Sequence, residues 1–164
     1  MSQARPVRIF TTGGTIDKIY FDAASDFKVG EPQVCGLLQE AGVTGEYAVT
    51  SLLRKDSLEL TAEDRELIRG AVLEEPWRHI LITHGTDTMV ETARHLGDAG
   101  GRTVVFTGAM QPARFRVSDA VFNVGFALGV LHCAEPGVYL AMNGQVFDPA
   151  HVHKNRAAHR FETD

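Results

Sequence analysis

Two short segments combine threonine hydroxyls with glycine, a pairing that suits nucleophilic chemistry. The first is TTGGT, Thr11–Thr15, and the second is THGTD, Thr83–Asp87. Glycine lets the backbone turn sharply and aim N–H groups into a cleft, and a hydroxyl on such a turn, at Thr15, can attack a carbonyl carbon once it is activated. A turn of this composition also suits an anion cradle or a simple connection, so the first segment alone assigns no function.

The second segment adds the carboxylate of Asp87 to the hydroxyl of Thr86. Its conservative interpretation is a helix cap, in which Thr86 or Asp87 accepts from the first N–H groups of the following helix. Lys154 has two interpretations as well. A lysine in a polar segment is usually solvated, whereas a lysine delivered to a cleft beside Asp87 can serve as a base or activate a threonine.

Other motifs that would indicate a cofactor or a metal are incomplete. The chain has no G-x-x-x-x-G-K-[ST] segment, and its Thr/Gly turn does not match G-x-G-x-x-G, so a nucleotide site is not expected. His151 and His153, with Asp148 nearby, have the residue types of a metal site but lack a firmly placed third ligand. We therefore predict no metal and no cofactor.

The elements that must position these residues alternate between strand and helix. The predicted strands are Val7–Phe10, Tyr47–Leu53, His79–Thr83, Thr103–Thr107 and Val138–Met142. The predicted helices run over Gln33–Ala41, from a Thr61 cap to Glu74, from Asp87 or Thr88 to Leu96, and from Ser118 or Asp119 to Cys133. Several strands are apolar on both faces, which is typical of a parallel sheet covered by helices. In such sheets ligands bind beyond the carboxyl ends of the strands, where both threonine segments lie.

Two segments lack a regular pattern. Residues 17–31 mix charges, small residues and single aromatics, and we interpret them as a long loop or irregular hairpin that forms a lid. Residues from about 150 to 164 are interpreted as a polar tail whose order the pattern does not predict.

Bulk properties narrow the class of protein. The 164 residues, 44% hydrophobic and 23% charged, are typical of one soluble globular domain, here residues 1–164. A net charge of -5 argues against nucleic acid as a partner. The longest apolar stretch, Ala120–Ala134, is interrupted by Asn123 and His132, which argues against a membrane span. Two cysteines are too few for a disulfide scaffold, and the amino terminus lacks a signal-peptide core, so we expect a cytoplasmic protein.

Four segments taken together resemble the amino-terminal domain of the asparaginase family. They are TTGGTID (Thr11–Asp17), ITHGTDTMVETA (Ile82–Ala93), FTGAM-QP with a downstream SDAVFN (Phe106–Asn123), and MNGQVFD with a downstream HK (Met142–Lys154). The order and spacing match from about Val7 to Lys154. The resemblance implies a three-layer, Rossmann-like or flavodoxin-like fold with a mainly parallel sheet.

The resemblance also implies roles for individual residues. Thr15 would attack a side-chain amide and form an acyl-enzyme, which water then hydrolyses. Thr86, Asp87 and Lys154 would form the activating set, and Asp87 would also hold the α-ammonium group of the substrate. The remaining residues would bind substrate: Ser57 through its α-carboxylate, Gly14 and Gly85 through backbone N–H groups as oxyanion donors, and Ala109.

Three departures from the family pattern keep alternative functions open. Phe27 stands where the family usually has a tyrosine, with Tyr20 nearby, and Leu58 stands where bacterial members often have a glutamine. The chain ends at Asp164, whereas family members continue into a second domain that completes the pocket of a neighbouring subunit. We therefore predict an amidohydrolase acting on asparagine or a related small amide and forming a homo-oligomer, either a dimer or a tetramer. The alternatives are a module that binds amino acids or dicarboxylates without efficient catalysis, and an amidase subunit of a transamidation complex.

Overall fold

The computed structural model describes residues 5–21 and 26–164. Its strands are β1 (Val7–Gly13), β2 (Lys18–Phe21), β3 (Asp26–Val29), β4 (Tyr47–Lys55), β5 (His79–Thr83), β6 (Thr103–Thr107), β7 (Gly137–Met142), β8 (Gln145–Phe147), β9 (Val152–Asn155) and β10 (Arg160–Thr163). Its helices are α1 (Val34–Glu40), α2 (Ala62–Glu74), α3 (Met89–Leu96) and α4 (Ala120–Cys133). Every predicted strand and helix is present within a few residues of its predicted ends.

A six-stranded sheet in the order β4-β1-β5-β6-β7-β8 forms the centre of the domain. All neighbours are parallel except β8, which runs antiparallel to β7. The five parallel strands follow the order 2-1-3-4-5, so the strand order reverses between β1 and β5, where flavodoxin-like sheets bind their ligands. The predicted α/β class with a mainly parallel sheet is confirmed, and both threonine loops leave the sheet at this switch point.

Helices cover both faces of the sheet, which gives three layers. The side chains of Ile68 and Val72 on α2 and of Met89 on α3 pack against one face, with Ile80 and Phe106 of the sheet. The opposite face is covered by α1 and α4, through residues that include Val34, Leu38, Val124 and Leu131. Strands β5 and β6 are buried along their whole length, as their apolar composition predicts.

A capping box starts α2. The side chain of Thr61 accepts a hydrogen bond from the Asp64 N–H at 3.2 Å, and the Asp64 carboxylate accepts from the Thr61 N–H at 2.9 Å. The predicted T-x-x-D cap is therefore formed.

The segment that the sequence describes as a polar tail is a regular hairpin of β9 and β10. Val152 and Phe161 are buried in the same core layer as α2 and α3. The Arg94 side chain on α3 donates to the carbonyls of Pro149 and Val152, at 2.7 and 3.0 Å. Two apolar anchors and these bonds order a segment in which polar residues hide the strand pattern. This corrects the polar tail that the sequence predicts for residues 150–164.

The predicted lid is a hairpin of β2 and β3, in register from Lys18 opposite Val29 to Phe21 opposite Asp26. Residues 22–25 of that prediction lie outside the described residues. Within the described part of the chain, no helix combines the length and apolar character that crossing a lipid bilayer requires. Cys35 and Cys133 are free thiols.

Two neighbouring threonines at the carboxyl end of the sheet make a matched test of hydroxyl burial. Thr83 and Thr107 are paired in register, but only the Thr107 hydroxyl has a partner, the carbonyl of Ala141 at 2.8 Å. The buried Thr83 hydroxyl has none among the described residues. We expect Thr83→Val to raise the free energy of unfolding by about 1 kcal/mol and Thr107→Val to lower it by about 1 kcal/mol. Urea unfolding of both variants measures this, and a loss of stability in Thr83→Val would contradict it.

Candidate active site

The two threonine loops pack backbone against backbone at the switch point. Gly14 has φ 85°, and a Cβ atom there would overlap the Cα and N atoms of Gly85. Only glycine tolerates both the dihedral angle and the contact. The Thr12 hydroxyl donates to the Thr83 carbonyl at 2.9 Å and joins the same two loops. Thr15, the residue after Gly14, is thereby held beside the second loop.

Ser57 closes a third side of the site from the turn after β4. A Cβ atom at Gly85 would lie 2.6 Å from the Ser57 Oγ, so that turn also rests directly on the second loop. The Thr88 hydroxyl fixes the contact by donating to the Ser57 carbonyl at 2.7 Å. Ser57 is 2% exposed, and its hydroxyl makes no hydrogen bond to any described residue. It is therefore free to bind a ligand.

The Lys154 ammonium lies between Thr86 and Asp87. Its Nζ donates to the Thr86 Oγ1 at 2.7 Å and to the Asp87 Oδ1 at 2.8 Å. The Lys154 side chain is 12% exposed and the Asp87 side chain 31% exposed. Arg156 follows on the same hairpin, with its Nε 3.6 Å from the same Asp87 oxygen. The β9–β10 hairpin thus delivers a lysine across 68 residues of sequence to the second threonine loop.

Helix α3 starts without a side-chain cap, so the interpretation of Thr86 or Asp87 as a capping residue is wrong. The N-cap residue is Thr88, and its side chain makes no capping hydrogen bond. The hydroxyl of Thr86 and the carboxylate of Asp87 face Lys154 instead. Side chains withheld from the helix end are available for chemistry.

Thr15 is half-buried in a single 3-10 turn, Thr15–Asp17. Among the described residues, none forms a hydrogen bond with its hydroxyl, neither Thr86 nor Lys154 included. Sequence reasoning places Thr15, Thr86 and Lys154 in one cleft, and the packing of Gly14 on Gly85 puts the two loops together. Direct hydrogen bonding, however, joins only Thr86, Asp87 and Lys154.

The backbone donors differ from those that the resemblance implies. The Gly14 N–H donates to the Lys55 carbonyl at 2.9 Å, so it is not free to bind an oxyanion. The N–H groups of Gly85, Thr86 and Asp87 make no hydrogen bond to any described residue. Consecutive free N–H groups form an anion-binding nest. Gly14 therefore shapes the site, and the available donors lie in the second loop.

Ala109 contributes a buried methyl group rather than a substrate contact. It is 1% exposed and packs in the core layer of α1 and α4. A Cβ atom at the preceding Gly108 would overlap the carbonyl oxygen of His84. The loop after β6 thus supports the second threonine loop from below, and only the main chain of Ala109 can face a ligand.

His84 is a positioning residue to which sequence reasoning gave no role, although it stands within the THGTD motif. It is fully buried, with Nδ1 2.7 Å from the Gly85 carbonyl and Nε2 2.8 Å from the Thr92 hydroxyl. A carbonyl only accepts, so Nδ1 carries the proton and Nε2 accepts from Thr92. Burial, supported by the charge of Arg65, lowers the pKa of His84 to about 4. The neutral ring therefore ties the Gly85 loop to α3.

The lid residues that depart from the family pattern lie in an aromatic cluster. The Phe27 ring packs edge-on against Tyr20 and Phe115, with centroid distances of 5.5 and 5.6 Å. The side chains of Phe27 and Tyr20 are 42% and 54% exposed. Leu58 is 61% exposed beside the buried Ser57. These apolar surfaces rim the cleft where polar groups were expected.

Asp17 is a buried carboxyl group at the base of the lid. It accepts from the Gln33 N–H at 2.9 Å, ahead of α1. Burial raises the pKa of Asp17 to about 7, although the Gln33 hydrogen bond and the charge of Arg54 act in the opposite direction. Neutral Asp17 therefore suits the folded chain better than ionised Asp17.

This raised pKa predicts a pH-dependent stability. The folded state holds the proton more tightly than the unfolded state, so the contribution of Asp17 is complete in acid and is lost from about pH 4 to pH 7. The limiting slope is about 1.4 kcal/mol per pH unit. Asp17→Asn keeps an acceptor for Gln33 but carries no charge. We expect its stability relative to the parent protein to rise with pH over this range, as urea unfolding at several pH values measures. A pH-independent difference would show that Asp17 titrates normally.

The histidines considered as metal ligands have other partners. The His153 Nδ1 lies 2.7 Å from an Asp164 carboxylate oxygen. Over residues 5–21 and 26–164, no three His, Cys, Asp or Glu side chains form a group that could hold a metal ion.

Comparison with known proteins assigns the fold and the site to a family. Residues 6–162 match the family model described as "Asparaginase, N-terminal". The chain belongs to the asparaginase family. An L-asparaginase of Thermococcus kodakarensis is 33% identical over 127 residues, which cover 74% of this chain and 38% of that protein. The solved thermostable L-asparaginase of the same organism superposes with a TM-score of 0.84 at 28% identity, over 96% of this chain and 51% of that one.

A third asparaginase-family relative has a different printed role. It is a component of the glutamyl-tRNA(Gln) amidotransferase of Methanococcus vannielii, and it is 31% identical over 163 residues, which cover 87% of this chain and 35% of that protein. The chain spans about half or less of the length of each of these relatives. The family is therefore shown for the amino-terminal portion that the chain shares with them.

Proposed function

We propose that this chain hydrolyses the side-chain amide of asparagine or a related small amide through an acyl-enzyme at Thr15. The Thr15 oxygen forms an ester with the amide carbon, and the C–N bond breaks. The nitrogen leaves as ammonia with the proton that the hydroxyl gives up, and water then cleaves the ester. The observation that carries this proposal is the Lys154 ammonium held on both Thr86 and Asp87 beside the Gly14–Thr15 turn.

Thr86 is the proposed proton relay. Its oxygen accepts from Lys154, so its own proton is directed elsewhere and can be passed toward the reacting amide. Thr86 is 5% exposed, which limits competition from bulk water. The free N–H groups of Gly85 and Thr86 are the proposed donors to the developing oxyanion.

Two polar groups are proposed to hold the amino-acid end of the substrate. The unpartnered Ser57 hydroxyl can donate to an α-carboxylate. The Asp87 Oδ1 faces Lys154, which leaves the Oδ2 atom of the same carboxylate for an α-ammonium group. This arrangement supports an amino-acid amide over a simple amide.

Ammonia release from asparagine, glutamine and acetamide tests the proposal. We expect turnover of one of the two amino-acid amides, and mass spectrometry of quenched enzyme should find the acyl group on the peptide containing Thr15. Ser57→Ala should raise KM for the amino-acid amide and leave acetamide turnover unchanged. Stabilisation by amino acids without any ammonia release would favour the binding module instead.

We also propose that the chain associates with a second copy of itself, as the sequence predicts. The outward face of α4 supports this: Val121 and Phe122 are 53% and 59% exposed, and Val117, just before the helix, is 82% exposed. The residues from Ala120 to Leu131 carry no charge, so two copies of this face can meet without burying an ion. Sedimentation equilibrium of the parent protein and Phe122→Glu tests it; equal masses would contradict a contact through α4.

A further inference from the structure

A second polar cavity lies at the opposite edge of the sheet from Thr15. It has a volume of about 210 Å³ and is lined at the amino ends of β5 and β6 and at the carboxyl end of α4. We call it the amino-edge pocket and define it by Arg5, Arg78, His79, Thr103, His132 and Glu135. Strand β5 begins in this pocket and ends at the second threonine loop, about 13 Å away along the strand.

Two buried side chains turn free polar groups toward this cavity. His79 is 6% exposed, and its Nε2 lies 3.3 Å from the Arg5 guanidinium. A guanidinium only donates, so Nε2 accepts and the neutral ring carries its proton on Nδ1. Thr103 is 4% exposed. Neither the His79 Nδ1 nor the Thr103 hydroxyl bonds to any described residue, and neither is sealed from the cavity.

The neutral form of His79 is supported by its surroundings. Burial lowers its pKa, and the charges of Arg5 and His132 act in the same direction. The His79 and His132 rings stack at a centroid distance of 6.1 Å, which fixes the orientation of the buried ring. His79 is thus a fixed N–H donor at the wall of the pocket.

Positive charge surrounds these donors. The Arg78 guanidinium makes no ion pair or hydrogen bond with any residue in the described ranges, and Arg5 bonds only to His79. Among the described residues that line the pocket, Glu135 is the single carboxylate. Two guanidinium groups, a ring N–H and a hydroxyl supply donors from several directions, and one carboxylate does not neutralise them.

We propose that the amino-edge pocket binds a small oxyanion, a phosphate or carboxylate group held by Arg78, the His79 Nδ1–H and the Thr103 hydroxyl. Arginine presents a fork of donors that matches both groups. The cavity has the liquid volume of about seven water molecules, which accommodates such a group and a short substituent. The site is separate from Thr15, Thr86 and Lys154, so it stands whether or not they hydrolyse amides.

Titration by two-dimensional NMR tests the pocket, with inorganic phosphate in one arm and acetate in the other. The amide signals of Thr103 and Gly137 report on this edge of the sheet. Sodium chloride keeps the ionic strength constant, so that general screening does not change. We expect saturable shifts with at least one of the two anions, and the arm that saturates at lower concentration identifies the group.

Three variants separate a built site from a general attraction of anions. Arg78→Ala should weaken binding about tenfold, and Glu135→Gln should strengthen it severalfold. Arg116→Ala is the matched control, because Arg116 is also exposed, has no partner among the described residues and lies before the opposite end of α4. Shifts that do not saturate with either anion would overturn the proposal. Equal weakening by Arg78→Ala and Arg116→Ala would overturn it as well.

Discussion

Thr15→Ala is expected to lower kcat/KM for amide hydrolysis by at least about a thousandfold. Alanine removes the only atom of residue 15 that can form the ester, and the other site hydroxyls have defined partners or positions. Thr86 is held by Lys154, and Ser57 lies on the far side of Gly85. A coupled assay of ammonia release measures the loss, with unchanged thermal unfolding as evidence that the fold persists.

Thr44→Ala is the matched control for this experiment. Thr44 is an exposed threonine in the loop before β4, at the amino-terminal edge of the sheet. Its removal should leave kcat/KM unchanged. Full activity in Thr15→Ala would show that another group attacks the amide, and the acyl-enzyme mechanism at Thr15 would then be abandoned.

Lys154→Met is expected to lower kcat by about 10² to 10⁴, the usual range for loss of a proton-transfer group. Methionine keeps the apolar stem but removes the atom that contacts both Thr86 and Asp87. Lys154→Arg should not restore activity, because a guanidinium is planar, stays protonated and cannot replace an amine as a base. Steady-state ammonia release resolves kcat from KM for each variant.

Lys55→Met controls for the loss of a paired lysine. Lys55 also binds a carboxylate, that of Asp64 at 2.7 Å, but it does so at the cap of α2. We expect nearly normal kcat from this variant. A change in KM alone for Lys154→Met would assign Lys154 to substrate binding rather than to proton transfer.

The convergence of the threonine loops could be predicted from the sequence because it depends on a general property of parallel sheets. β1 and β5 are short apolar strands, each followed at once by glycine and threonine. Parallel strands end at one edge, so both loops had to meet there. The pattern could not give the order of the strands, which places β1 and β5 side by side.

The position of Lys154 could not be predicted from local pattern, because only Val152 and Phe161 anchor its hairpin and their neighbours are polar. The interpretation of Thr86 and Asp87 as a cap failed for a related reason. A capping hydroxyl and a hydroxyl that contacts a distant lysine look identical in sequence, and the choice depends on a contact across 68 residues. The family resemblance supplied this pairing where local physics was silent.

The backbone donors and the amino-edge pocket needed coordinates. Whether the Gly14 N–H is free depends on the Lys55 carbonyl, which the β1–β4 register brings against it. The pocket is assembled from Arg5, His79 and His132, which lie in three separate parts of the chain and form no motif. Isolated histidines are more often packing residues, and only their joint position around a cavity distinguishes these two.

The hairpin that carries Lys154 also sets the order in which the site is completed during protein synthesis. Thr15 and Thr86 leave the ribosome well before Lys154, and the sheet from β4 to β7 can form without β9 and β10. Burial of Val152 and Phe161 then closes the longest loop in the site, and loops of this kind form late because their entropy cost comes before their contacts. A nascent chain would therefore hold its nucleophile folded but unactivated until the hairpin docks.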